Sequence, residues 1–120
     1  MQSQHPTRVL GQDVKTGAAA TATAAAPGAN LLNYITGILV VVTQLAAQAA
    51  AGFDLTTSGL GGADITIPLA NSGTPGSVVS IPILFPNPVQ AAGANAAVSA
   101  AATPTANTRI AIILLGFVAP

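Results

Sequence analysis

At 120 residues the chain is the size of one ordinary domain. Only 5% of it is charged, with three cationic and three anionic side chains and a net charge of zero, whereas soluble domains average about 25%. The absence of cysteine excludes disulfides and thiolate metal sites. Zero net charge and 3% aromatic residues leave neither a basic patch nor stacking platforms for nucleic acid.

The same numbers separate the chain from disordered sequences, which combine low hydrophobicity with high net charge. Here 51% of residues are hydrophobic, much of that alanine. Zero net charge favours association over dispersal. The composition therefore reads as a folded subunit that lives inside an assembly.

Residues 1–15 hold His5, Arg8, Asp13 and Lys15, show no periodic apolar pattern, and read as an extended arm. The following "TGAAATATAAAPGAN" is low in complexity. Thr21 and Thr23 alternate with alanine, and Pro27-Gly28 stops any element there. This favours extended backbone over residues 16–26, with a short helix as the competing reading. The domain division expected is therefore an arm over residues 1–29 and a β-sandwich over 30–120.

From Asn30 onward the pattern is β. "LLNYITGILVVVT" is rich in β-branched residues and long enough for one twisted strand bulged at Gly37. "GFDLTTSG" places Phe53 and Leu55 on one face; "ADITIPLA" does the same with Ile65, Ile67 and Leu69. "SVVSIPILF" puts Val79, Ile81 and Ile83 together, and "PNPVQAAGAN" reads as a longer connection. "AAVSAAATP" is a weak strand of small residues, and "TRIAIILLGFVA" is the last and strongest. Pro68 and Pro82 fall inside strands and cannot donate to a ladder, so they belong at edges or bulges. Residues 44–51, "QLAAQAAA", are the one competitor for helix. Six to eight short strands separated by Gly, Pro and Asn turns indicate an all-β, antiparallel, jelly-roll-like sandwich.

The final strand is apolar at every position from Ile110 to Leu115. A half-exposed antiparallel strand alternates apolar and polar, so both faces are expected to be covered. The sandwich core covers one. The other, with Ile113 and Leu115, needs the arm or a neighbouring subunit. In the arm, Val9, Leu10 and Val14 are the apolar side chains available to dock on a partner.

The apolar stretch 35–52 is interrupted by Thr36, Thr43, Gln44 and Gln48, and the C-terminal one is short of the about 20 residues a spanning helix needs. The opening "MQSQHPTRVLGQDVK" has no apolar core and is not read as a secretory signal. No membrane or nucleic-acid partner is expected.

No catalytic constellation emerges. His5 is the only histidine, and no cysteine or glutamate completes a site around it. Asp54 and Asp64 sit ten residues apart and read as solvent-facing strand residues rather than an acid/base pair; Asp64 is placed to pair with Arg109. "GLGGAD" lacks the Lys-Ser/Thr end of a phosphate loop and reads as a turn. Tyr34 is read as a packing residue. "TATAAA" suggests a threonine array of the ice-binding kind, but the regular repeats that such arrays need are missing. Neither enzymatic activity, nor a metal, nor a cofactor is expected.

The succession of "TGAAATATAAAPGANLLNYITGILV", "DLTTSG", "ITIPLANSGTPGSVVSIPILFPNPVQAAGANAAVSAAA" and "RIAIILLGFVAP" resembles small phage-encoded virion proteins. The resemblance covers residues 16–119 and rests on the Ala/Thr strand, the Pro-Gly turn, the "NYITG" strand opening, the "FPNP" connection and a last strand ending near "GF". It implies a non-enzymatic β-sandwich of a tailed-phage particle, in the head decoration or cement class, placed on the capsid surface. The partners so implied are further copies of the chain, expected as a homotrimer, and the major capsid protein or other virion proteins. The arm is then expected to be the tether. The alternative is another self-assembling surface subunit: coat, tail, or a pilus-like adhesive using strand donation.

Overall fold

The computed structural model describes residues 6–120. These form eight strands and no helix: β1 (Arg8–Thr16), β2 (Ala20–Ala24), β3 (Leu32–Gln44), β4 (Gly52–Ser58), β5 (Thr66–Ala70), β6 (Val78–Gln90), β7 (Val98–Ala102) and β8 (Thr108–Ala119). They make two four-stranded sheets, sheet A in the order β1-β8-β3-β6 and sheet B in the order β2-β7-β4-β5. All neighbours are antiparallel. Every connection crosses from one sheet to the other except the one from β4 to β5. This is the strand order of the eight-stranded jelly roll, as the turn spacing anticipated. Because no helix is present among the described residues, none is long and apolar enough to cross a membrane.

The two sheets contribute unequal side chains to the core. Sheet A supplies Ile110, Ile112 and Leu114 from β8 and Ile35, Ile38, Val40 and Val42 from β3, all buried. Sheet B answers with alanines: Ala20, Ala22 and Ala24 from β2, and Ala100 and Ala102 beside Val98 from β7. Leu55 of β4 and Leu69 of β5 complete its buried side. Small residues on one sheet make room for branched ones on the other, which is how an interior reaches crystal-like density. β3 keeps its inward period only by a register shift between Ile35 and Gly37, where Thr36 is the extra residue.

The N-terminal segment departs from the sequence expectation. Residues 8–16 are not a free arm: they form β1, the edge strand of sheet A, paired with β8 from Arg8↔Gly116 to Thr16↔Arg109. Residues 20–24 are a core strand of sheet B, paired with β7. Among the described residues, the division into an arm over 1–29 and a sandwich over 30–120 is corrected: residues 8–16 and 20–24 are strands of the sandwich itself. The physical reason is a bulge. Register shifts between Val9 and Gly11, so Leu10 is the extra residue and turns into the core while Val9 and Val14 remain outward. That breaks the period of two by which a strand is recognised. His5 lies outside the described residues.

β1 also closes the sandwich on its own side. Asp13 accepts a hydrogen bond from the Thr21 N–H at 2.9 Å on β2 and binds the Lys15 ammonium at 2.8 Å. A Cβ on Gly11 would overlap the Thr23 carbonyl, so the strands of the two sheets meet there backbone to backbone.

Two further expectations are corrected. The "PNPVQ" stretch belongs to β6: Leu84 pairs with Gly37 and Val89 with Ile35, and residues 85–88 bulge between them. Residues 45–51 form no helix but an irregular crossover from sheet A to sheet B. Pro68 and Pro82 lie on β5 and β6, each an edge strand of its sheet, where a missing N–H can point away from the ladder.

Both ends of the sandwich are latched by buried amides. At one end the Gln44 side-chain oxygen accepts from Asn71 Nδ2 at 3.1 Å and from the Thr108 hydroxyl at 3.2 Å, and its Nε2 donates to the Ala46 and Asn107 carbonyls. At the other, Asn33 Nδ2 donates to the Ala25 and Ala96 carbonyls, each at 3.0 Å. These pairings tie the crossovers together without leaving a polar atom unpaired in the core.

Candidate functional site

The register of sheet A sets its outward residues in rows across four strands. One row is Gln12, Ile113, Leu39 and Pro82; the next is Val14, Ala111, Val41 and Ser80; a third is Val9, Leu115, Gly37 and Leu84. At one end lie Thr16, Arg109, Thr43 and Val78. At the other, Phe117 and Tyr34 stack with ring centroids 4.9 Å apart, beside Gln90. Between these ends the face bears no charged side chain.

A face of this composition is expected toward a core, yet none of the described residues covers it. Leu84 is 72% exposed, Val78 58%, Val14 54% and Val9 52%. Leu39, Val41, Ile113 and Leu115 are half-buried by one another and by the flanking strands. Contiguous exposed apolar patches mark interaction sites.

Four of the five side chains that the sequence put forward as partner contacts, Val9, Val14, Ile113 and Leu115, share this face. The fifth, Leu10, does not: it packs against the core and over Gly116. Sequence reasoning missed Leu39, Val41 and Leu84, although the first two stand at alternate positions in "ILVVV" and their outward side follows from the Gly37 bulge. Nothing local to Leu84 tells that it faces out.

The other outward face is different in kind. Sheet B presents Thr21, Thr23, Thr56, Ser58 and Thr66, all exposed, with Asp54 at one end. Thr21, Ala101, Thr56 and Thr66 fall in one row.

The titratable side chains do not converge. Asp54 stands on β4 opposite Pro68, whereas Asp64 lies in the loop from β4 to β5, its carboxylate accepting from the Leu60 N–H at 3.4 Å. Arg109, the expected partner of Asp64, is on the outer face of the opposite sheet between Thr16 and Thr43. Asp13 is held below the usual carboxylate range by the Lys15 ammonium and by the Thr21 N–H; its position is a seam between sheets rather than a cleft. No group of three His, Cys, Asp or Glu side chains that could hold a metal occurs among the described residues. A shallow pocket at the Asn33 end is lined by Leu10, Pro27, Leu31 and Val118, with Arg8 as its one charged side chain.

Chemically, the described residues offer two broad faces, one apolar and one hydroxylated, and their titratable groups stand apart. Comparison with known protein families, with characterised proteins and with solved structures returns no match.

Proposed function

We propose that this chain is a non-enzymatic structural subunit of a virus particle, a head decoration or cement protein that self-associates and sits on the capsid surface against the major capsid protein. The observation that carries the reading is the jelly-roll strand order, an architecture shared by capsid proteins, lectins and cupins. Fold alone does not assign function, so the choice among these classes rests on the side chains. A cupin metal site draws on several histidines and a carboxylate, and this sequence has one histidine and no glutamate. A lectin surface leans on aromatic stacking, and the chain has one tyrosine and three phenylalanines. A structural subunit needs large faces of low charge, and those are present.

Pilus-like strand donation is opposed by the sheet edges. Such donation pairs a foreign strand with an open edge. Of the four edge strands, β5 carries Pro68 and β6 carries Pro82, Pro86 and Pro88, while β1 and β2 carry no proline but abut each other at the Gly11–Thr23 contact. Proline withholds the donors that an incoming strand requires. The test is mass spectrometry and cryo-electron microscopy of particles from the producing host. The reading expects the chain at a fixed, symmetric copy number on the outer shell; its absence from purified particles, with recovery in a cell-surface fraction, overturns it.

A further inference from the structure

The outer face of sheet A is too apolar to serve as a surface that waits in water for a shell to form. We infer that it is the contact between copies of this chain, so that each copy covers the sheet A face of another before any particle is met. The inference rests on the reading of the chain as an assembling subunit and names the partner of its largest face.

Three features lead there. The first is size. At about 3.3 Å per residue and about 4.8 Å between strands, the face spans roughly 26 Å by 19 Å, and two such faces in contact cover about 1,000 Å², the scale at which specific interfaces begin. The second is charge. The centre of the face has none, so apposing two identical faces brings no like charges together; Arg109 stands apart at one end. The third is continuity with the core. Ile113 and Leu115 alternate with the fully buried Ile112 and Leu114 on the same strand, and interfaces between permanently associated copies resemble a core cut in half. A second copy is present from synthesis onward, as the burial of such a surface requires; a capsid protein is met later. Prolines on β5 and β6 disfavour pairing at two of the four edge strands, which adds weight to association through the faces.

The decisive variant is Leu84→Asp. At 72% exposure its side chain adds little to the folding of one copy, so a charge there acts on association. The wild-type chain at tens of micromolar is expected by light scattering to run at a multiple of its own mass. Leu84→Asp, and the double variant Val14→Asp with Leu84→Asp, are expected to run at the single-chain mass with an unchanged β-type circular dichroism spectrum. Thr56→Asp on sheet B leaves the multiple intact. A monomeric wild type overturns the inference, as does an oligomer that survives the double variant or that Thr56→Asp dissolves. If Leu84→Asp unfolds the chain, cross-linking of a Val14→Cys variant replaces it: a disulfide or bridged species within the wild-type oligomer is expected, and its absence overturns the contact. Because the measurement uses no particles, an oligomer that never appears on virions overturns the virion reading alone.

Discussion

Strands β3 and β8 of sheet A and β2 and β4 of sheet B all alternate in burial, but only the sheet B pair alternates in chemistry. On β2 the inward Ala20, Ala22 and Ala24 are separated by Thr21 and Thr23; on β8 the inward Ile110, Ile112 and Leu114 are separated by Ala111 and Ile113. The threonine face of sheet B is what a sheet looks like when water is its permanent neighbour. The aliphatic face of sheet A is what a sheet looks like when a second layer of protein covers it, as in the buried sheets of two-sided folds. Under the inference above, the sandwich is one half of a thicker object, finished on one side and open on the other.

The contrast continues inside, where the largest effects are expected. Sheet A supplies the volume of the core and sheet B the space for it. Ile112→Ala removes a fully buried branched side chain and is expected to cost about 2–5 kcal/mol in urea unfolding. Ala100→Leu, at an equally buried position on sheet B, inserts volume where none is free and is expected to cost about 1–3 kcal/mol. If Ala100→Leu proves neutral or stabilising, the alanine lining is not set by the bulk opposite, and the division of labour between the sheets falls.

Much of this was readable before any coordinates. Ile65, Ile67 and Leu69 share a side because nothing interrupts their period, and Pro68 and Pro82 announced edge strands by the donor they lack. The double-faced apolarity of β8 announced the apolar outer face of sheet A. What stayed hidden lies where a bulge resets the period. "RVLGQDVK" shows no alternation because Leu10 is an inserted residue that turns inward between outward Val9 and Val14, so an edge strand passed for an arm. "FPNP" passed for a loop because residues 85–88 leave the ladder and β6 resumes at Val89. The amide latches were equally silent: Gln44 and Asn71 are 27 positions apart, and only the crossing of the chain between sheets brings them to 3.1 Å.

Those latches offer the next test, since they hold the two unlike sheets at one fixed offset. Gln44 is 2% exposed, with Asn71 and Thr108 buried beside it. Gln44→Ala takes the acceptor from both partners and leaves them buried. The expected cost is about 1–3 kcal/mol, smaller than the core truncation and read as a lowered midpoint in thermal unfolding. Gln44→Glu retains the acceptor for both but buries a carboxylate whose second oxygen faces the Ala46 and Asn107 carbonyls, so it is expected to cost at least as much as Gln44→Ala. If Gln44→Ala melts with the wild type, the crossovers are held by packing alone and the offset between the sheets needs another cause.

The smallest effect is expected at the other seam, where Asp13 on sheet A meets Thr21 on sheet B. Its carboxyl sits below the ordinary range because the folded chain offers the ionised form the Lys15 ammonium and the Thr21 and Val14 N–H groups. The sign follows from linkage. A carboxylate whose folded value is depressed stabilises the fold above its unfolded value, and that contribution fades as pH falls through the folded one. The window therefore lies below about pH 4, the ordinary carboxylate value. Exposure of the ion pair to water keeps the effect modest. Asp13→Asn removes the titration and keeps a side-chain oxygen able to accept from Thr21. The difference in melting midpoint between wild type and Asp13→Asn, steady near neutrality, is expected to shrink as pH falls through that window. The seam is also the place where the finished and unfinished sheets touch, so acid loosens the β1 edge while the threonine face and the interior latches stay as they were. Curves that remain parallel down to strong acid would show that Asp13 contributes nothing by its charge, and that β1 is held to β2 through Leu10 and the Gly11 backbone contact alone.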